Sequence, residues 1–370
     1  MEILTFDDVD IVSLPEKRSE AEERWVSFQP YLLSKGYTLR PRYQPDWTPS
    51  WRGTDISPLS CEDSADSMPV RVLDAIRIHD GQQVMIKMNV PSRTDSEGEN
   101  EFALLQHFST PPLRNNPYNH VVPCLDSFPI PNVSGGNFIV MPLLRRYKDI
   151  PFYNLAELHD LLRQLFNGLV FMHENNVAHG DIASPNVMMD ARALYDEPFH
   201  PFFQAHSADI QRLIFPRYRR SQKQIRYFYI DLGYAKWFRD SKAPRVVIGK
   251  TAREIAPEQR DGSPYDPFIA DIYQLGMMIN RDLVQQIEDL GFLLPLVRDM
   301  TKTNPIDRPT LGEAQTRMNN AFLGLSGWRY RRPIIPPNTS FRERWRGMFA
   351  GLVDELKLWL GRFARLLWSR

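Results

Sequence analysis

The stretches VRVLDAIRI (70–78) and QQVMIKMNV (82–90) alternate apolar and polar residues on either side of Asp80-Gly81. That pattern predicts two antiparallel strands joined by a hairpin turn. NFIVMPLL (137–144) predicts a further strand, and Phe102, Leu104, Leu105 and Phe108 follow Glu101 at helical spacing. From about 150 to 325 the period lengthens. Asn154 stands as an N-cap, Glu157 follows three residues on, and Leu155, Leu158, Leu161, Leu162, Leu165 and Leu169 form the stripe of a buried helix. Upstream, residues 1–68 are rich in proline and aromatics. Trp25, Trp47 and Trp51 would be costly to leave wet, so this extension is expected to pack rather than hang free. At the far end Trp345, Met348, Phe349, Leu352, Val353, Leu356, Trp359, Leu360, Phe363 and Leu367 recur every three or four residues, one apolar stripe of a helix. The pattern predicts an α+β chain in four parts: the extension 1–68, a small strand-rich lobe about 69–144, a larger helical lobe about 145–325, and a linker with an amphipathic helix over 326–370. The helical lobe carries a basic insertion, about 191–225, that reads as solvated, with a docking site for acidic partners as the alternative.

Composition adds bounds. With 42% apolar residues in a chain of 370, a sizeable core is available. Forty-five basic residues balance 45 acidic ones, so no global field steers the chain to nucleic acid, and no nucleic-acid partner is expected. Cys61 and Cys124 are too few for a disulfide framework, and MEILTFDDVD lacks the features of a signal peptide. An intracellular location, cytoplasmic or nuclear, is the expectation. The longest apolar runs, such as FIVMPLL, fall far short of the ~20 residues that span a bilayer, so a soluble protein is expected.

The candidate chemistry lies in a few charged residues. Phosphoryl transfer asks a protein to position a nucleotide, hold divalent metal and orient a hydroxyl. Lys87 ends VMIK, where an ammonium could reach phosphates, and Glu101 could hold it in place. In VAHGDIASPNVMMD (177–190) the spacing His179-x-Asp181-x4-Asn186 supplies an aspartate for a hydroxyl proton and an amide oxygen for metal. Asp231 leaves the apolar strand YFYI directly before Leu232-Gly233, as suits a magnesium ligand. Taken singly, each has an ordinary structural role; the combined spacing points to chemistry.

Here the chain resembles the protein-kinase superfamily, whose signature is a strand lysine, a helix glutamate, His-Arg-Asp-x4-Asn, Asp-Phe-Gly and Ala-Pro-Glu. The likeness covers about residues 70–325 and includes Ala256-Pro257-Glu258, Asp271 with Gly276 in DIYQLG, and Arg308 in NPIDRPT. The chain is also similar to a large group of fungal protein-kinase-like proteins, through RWVSFQPYLLSKGYTLRPRY, VMPLL and PYDPFIADIYQLG. The resemblance implies a bilobal protein-kinase-like fold and Ser/Thr-type transfer of the ATP γ-phosphoryl group to a protein substrate, with Mg2+. It places Asp181 at the hydroxyl, Lys87 and Glu101 at the phosphates, and Asn186 and Asp231 on metal. Met141 becomes the gatekeeper of the adenine pocket, with the backbone of Pro142 and Leu144 facing adenine. Thr251 bonds the catalytic aspartate. His179, Gly233 and Asp271 are structural, and Glu258 and Arg308 form an ion pair.

Departures leave two other readings open. No glycine-rich loop precedes the hairpin, since SCEDSADSMPVRV holds no glycine, and side chains with a proline cannot approach phosphates as closely as bare backbone. Ala183 stands where the family has a phosphate-touching lysine, and Met85 where it has a small alanine. The missing loop and Ala183 favour a pseudokinase that binds partners through the same fold. Gly180, in place of the usual arginine, suggests a small-molecule phosphotransferase; Glu258, Asp271 and Arg308 disfavour it. Residues 341–370 hold seven basic and three acidic side chains, a net of +4. The terminal helix therefore reads either as docked on the protein or a partner, or as lying at a membrane surface.

Overall fold

The computed structural model describes residues 14–64, 70–90, 100–240, 244–249, 252–260, 262–335, 340, 342, 345–346, 349, 351–353, 356 and 360. The chain is α+β and divides into two compact units. One comprises Met1–Thr110, Val122–Arg145 and Asp190–Tyr218; the other comprises Pro111–Val121, Arg146–Met189 and Arg219–Arg370.

The first unit is built on a five-stranded antiparallel sheet. Its strands β1 (Tyr37–Thr38), β2 (Val72–Arg77), β3 (Gln82–Asn89), β4 (Asp126–Pro129) and β5 (Asn137–Pro142) lie in the order β1-β2-β3-β5-β4. The β2–β3 hairpin turns where Gly81 adopts φ +68°, a left-handed conformation that glycine takes without strain. Period two then sorts the side chains of β3. Val84, Ile86 and Met88 are fully buried on one face, while Gln83, Met85 and Lys87 share the other. Helix α1 (Glu20–Ser34) covers the apolar face. Ser19 and Glu22 cap it reciprocally, and Trp25, Phe28 and Leu32 join Val84, Ile86, Phe138 and Val140 in one core. Each such side chain contributes roughly 1.5–3 kcal/mol on burial.

The proline-rich extension packs within this unit, supplying both a helix and an edge strand. Helix α2 (Glu101–Phe108) completes the unit's regular elements. The insertion also differs from its sequence reading. Residues 190–218 cluster with the sheet unit, because Leu194, Tyr195, Phe199, His200 and Ile214 are buried. Its aromatic content outweighs its charge.

The second unit is mainly helical: α3 (Leu155–Glu174), α4 (Pro267–Ile279), α5 (Leu294–Met300), α6 (Leu311–Leu323) and α7 (Gly327–Arg331). Asn154 caps α3 by accepting the Glu157 N–H at 3.1 Å, and Glu157 accepts the Tyr153 N–H at 2.8 Å. The segment expected as a linker from 326 begins as structure instead. Tyr330 on α7 bonds His159 of α3 at 2.8 Å, and the Ile334 N–H donates to the Tyr153 carbonyl at 2.7 Å. Arg220, also expected in solvent, is 5% exposed; it donates to the carbonyls of Tyr147 and Ile150 and lies over the Phe152 ring. The small strands are β6 (Arg145–Arg146), β7 (Val177–Ala178), β8 (Val187–Met189), β9 (Tyr227–Tyr229) and β10 (Lys236–Trp237); β8 pairs with β9 and β7 with β10.

α3 approaches β9 closely because Gly168 has no side chain: a Cβ there would lie 2.6 Å from the His120 Cβ. The buried His120 ring donates from Nδ1 to the Tyr227 carbonyl at 2.9 Å. Burial pushes its pKa down from 6.5 to about 4, and the Tyr227 bond opposes this only in part. A histidine depressed in the folded state contributes stability that is complete above pH 6.5 and lost as pH falls toward 4, where the unfolded chain binds the proton first. At about 1.4 kcal/mol per pH unit the loss is at most roughly 3 kcal/mol. Urea unfolding at pH 7 and 4.5 should show the parent losing more stability than His120→Asn; equal losses would mean that His120 does not carry this dependence.

Of the C-terminal stripe, Met348, Trp359, Phe363 and Leu367 lie outside the described residues. Trp345, Phe349, Leu352, Val353, Leu356 and Leu360 are all exposed. Among the described residues, no helix is long and apolar enough to cross a membrane.

Candidate active site

The candidate residues fall into two groups, one in each unit. In the sheet unit, Lys87 Nζ lies 2.6 Å from Glu101 Oε1, joining β3 to the first residue of α2. Asn89, two residues further along the same face of β3, donates to Glu101 Oε2 at 3.0 Å. Glu101 is thus held at both oxygens, which fixes the ammonium against the sheet. Asn89 was missed by sequence reasoning, although its period-two relation to Lys87 was visible. Met141 faces Met85 across the β3–β5 pairing. Pro142 ends β5, and the Leu144 carbonyl beyond it accepts the Gln204 side chain at 3.0 Å.

Where a glycine-rich loop was sought, residues 39–71 connect β1 to β2 through short turns at Pro58–Ser60 and Glu62–Ser64. Asp63 pins this connection by accepting from the Trp47 ring at 2.9 Å and from the Ser50 N–H at 2.8 Å. Residues 65–69 lie outside the described residues.

In the helical unit the loop after β7 is organised by Asp271, a fully buried carboxylate on α4. It accepts the N–H groups of His179 and Gly180, each at 2.8 Å, and the His173 ring at 2.9 Å. One helical turn on, Gln274 accepts the Ile182 N–H at 2.8 Å and donates to the Gly180 carbonyl at 3.1 Å. Gln274 was also missed. Its i, i+3 spacing from Asp271 puts both on one face of α4, which was the available signal.

Gly180 has a backbone reason to be glycine: its φ is +80°, and a Cβ would meet the Tyr234 carbonyl oxygen at 2.7 Å. His179 Nδ1 accepts the Asp181 N–H at 3.3 Å, which leaves Nε2 as the donor to the Ile230 carbonyl at 3.2 Å. Beneath it lies Tyr229. Full burial, reinforced by the Asp271 charge, pushes its hydroxyl pKa well above the ordinary 10, so the ring stays neutral.

Asp181 is 3% exposed. Its Oδ2 accepts the Asn186 amide at 2.8 Å and its Oδ1 the Arg253 N–H at 2.6 Å. The Asn186 amide nitrogen is committed to Asp181, so its Oδ1 is the atom that could take a cation. The Ile230 N–H donates to the Asn186 carbonyl at 3.0 Å, bringing Asn186 and Asp231 to the same end of the β8–β9 pair. Asp231 has φ +61°, and Leu232–Tyr234, including the buried Gly233, turn away from it. A cation there would have one carboxylate and one amide oxygen, a donor set that suits Mg2+ completed by water and phosphate. Among the described residues, no cluster of three or more His, Cys, Asp or Glu side chains could hold a metal alone.

No protein-family model matches the chain, and neither does any curated protein sequence. Two further expectations concern residues outside the loop. Arg308 donates to both oxygens of Glu258, each at 2.6 Å. Thr251 lies outside the described residues, and the N–H that reaches Asp181 is that of Arg253. Gly276 packs tightly, since a Cβ there would lie 2.8 Å from the Met300 Cβ.

Proposed function

We propose that the chain is a divergent protein-kinase-like phosphotransferase of bilobal fold, using ATP and Mg2+ to phosphorylate a Ser/Thr hydroxyl on a protein. The observation that carries this reading is the loop after β7. Its aspartate is oriented by Asn186 and His179, and its backbone is locked by Asp271 and Gln274, beside a second aspartate at the end of β9. Such a loop holds one carboxylate for a hydroxyl proton and presents two oxygen donors to metal. Asp181 would orient the hydroxyl and draw off its proton, Asn186 and Asp231 would hold Mg2+, and Lys87, steadied by Glu101, would bind phosphate oxygens. When bound, Mg2+ neutralises phosphate charge. In the conformation seen, the Arg253 N–H bonds Asp181 Oδ1, so a substrate hydroxyl would share the carboxylate with it.

Gly180 does not argue for a small-molecule substrate, because its φ and the Tyr234 carbonyl account for it. The pseudokinase reading draws on the pinned connection 39–71, whose last stretch SCEDSADSMPVRV holds no glycine. The exposed C-terminal stripe supports a contact surface for a partner protein or a membrane. Thermal unfolding with ATP, with and without Mg2+, tests the proposal. Nucleotide at ~100 times its Kd should stabilise the parent by about 2–3 kcal/mol with Mg2+ present, and Asp231→Asn should remove the Mg2+ dependence. A parent protein indifferent to ATP and Mg2+ would leave the pseudokinase reading.

A further inference from the structure

We infer that residues 199–206 form a chain-borne cap over the nucleotide-base side of the sheet unit, so that ATP binds only after this segment has moved aside. The inference rests on the proposed nucleotide site. There the base would lie against Met85, on the face of β3 that carries Lys87, and would bond to the backbone at Leu144. The second place is taken and the first is walled in. The Gln204 amide donates to the Leu144 carbonyl at 3.0 Å, the kind of bond an exocyclic amine would make. Pro201 and Phe202 line, with Val72, Asp74 and Met85, a cavity of about 320 Å3. That is near the lower end of ligand pockets, about 300–1,000 Å3.

The segment is fastened at several points. Arg145 donates to the Gln204 carbonyl at 2.5 Å and to the Tyr195 hydroxyl at 2.6 Å. The Gln83 side chain, on the same face of β3 as Met85, donates to the Phe199 carbonyl at 3.0 Å. His200 is fully buried, and its Nδ1 accepts the N–H groups of Phe202 and Phe203 at 3.2 and 2.9 Å. Its Nε2 is thereby the donor to Glu62, at 3.2 Å. Arg40 bridges Glu62 at 2.9 Å and Asp74 of β2 at 2.9 Å, tying the segment to the connection that stands in place of a glycine-rich loop. Burial would raise the Glu62 carboxyl, but its His200 and Arg40 partners hold it below the ordinary range, so this tie is charged at neutral pH.

The apolar grip is weaker than the polar one. Phe202 and Phe203 are 40% and 41% exposed, so only part of each ring would have to leave a covered site. A cap held this way lowers apparent affinity by the fraction of molecules in which it is open.

Isothermal titration of the full chain with Mg-ATP tests this, comparing the parent with Gln204→Ala and Phe202→Ala. Each substitution removes one hold of the cap and should tighten binding by about 5- to 10-fold. Hydrogen exchange gives a second readout. The N–H groups of His200 and His206 bond within the segment, to the His206 and Phe203 carbonyls, and should exchange faster when ATP saturates the parent. Equal or weaker binding in both variants, with these amides still protected under ATP, would overturn the cap and leave the nucleotide site standing. If neither the parent nor the variants bind Mg-ATP while all remain folded, the nucleotide reading falls and takes the cap with it.

Discussion

Asp181→Asn should leave Mg2+-dependent ATP binding within about twofold of the parent while slowing phosphoryl transfer by about 10²–10⁴-fold, the usual contribution of a positioned acid–base group. The expectation follows from what the carboxylate touches. Its two oxygens face the Asn186 amide and the Arg253 N–H, while the proposed metal donors, Asn186 Oδ1 and Asp231, belong to other residues. An asparagine keeps the shape and one acceptor but cannot take a proton. Its amide would also face the Asn186 amide, donor against donor, so a small loss of stability should accompany the change. Transfer from labelled ATP to a generic protein substrate is the readout, with Asp181→Glu as the conservative control. A residual activity in Asp181→Glu that shifts with pH would tie the effect to proton transfer. Parent-like transfer by Asp181→Asn would remove this residue from the mechanism.

Much of the fold was legible because it rests on periodicity. The β2–β3 hairpin follows from strict alternation around Asp80-Gly81, and the start of α3 from Asn154 and Glu157. β1 was not legible. It is two residues long, and the connection 39–71 separates it from β2, so neither alternation nor a turn signal marks it. The 190–218 segment misled for another reason. Its basic run drew the reading to solvent, yet Leu194, Tyr195, Phe199, His200 and Ile214 are buried, and just beyond the segment Arg220 is buried where a hydroxyl, carbonyls and a ring face replace water around the guanidinium. At the site, Lys87 and Glu101 could be proposed as partners because opposite charges suggest each other. Asn89, Gln274 and Gln204 are neutral amides, which announce no partner until the fold supplies one.

Arg308→Ala should cost about 3–5 kcal/mol of stability, the range for stripping one partner from a buried ion pair. The Arg308 side chain is fully buried and that of Glu258 is 13% exposed. The guanidinium also donates to the Lys302 carbonyl at 2.9 Å and the Ile269 carbonyl at 3.2 Å, and lies 4.9 Å from the Tyr273 ring centre. Removing it leaves a carboxylate without its counter-ion and takes a donor from three carbonyls, the third that of Thr303 at 3.4 Å. Lysine cannot restore the arrangement, since a single ammonium lacks the planar fork that meets both Glu258 oxygens; Arg308→Lys should recover less than half of the loss. Glu258→Gln should cost less than Arg308→Ala, because the neutral amide leaves Arg308 its three carbonyls. In the double variant the penalty should fall below the sum of the singles, as it does for residues in direct contact. Urea unfolding of the parent and the four variants measures all of this. A loss below about 1 kcal/mol in Arg308→Ala would place the pair among exposed salt bridges, and would withdraw one of the residue relations on which the protein-kinase reading rests.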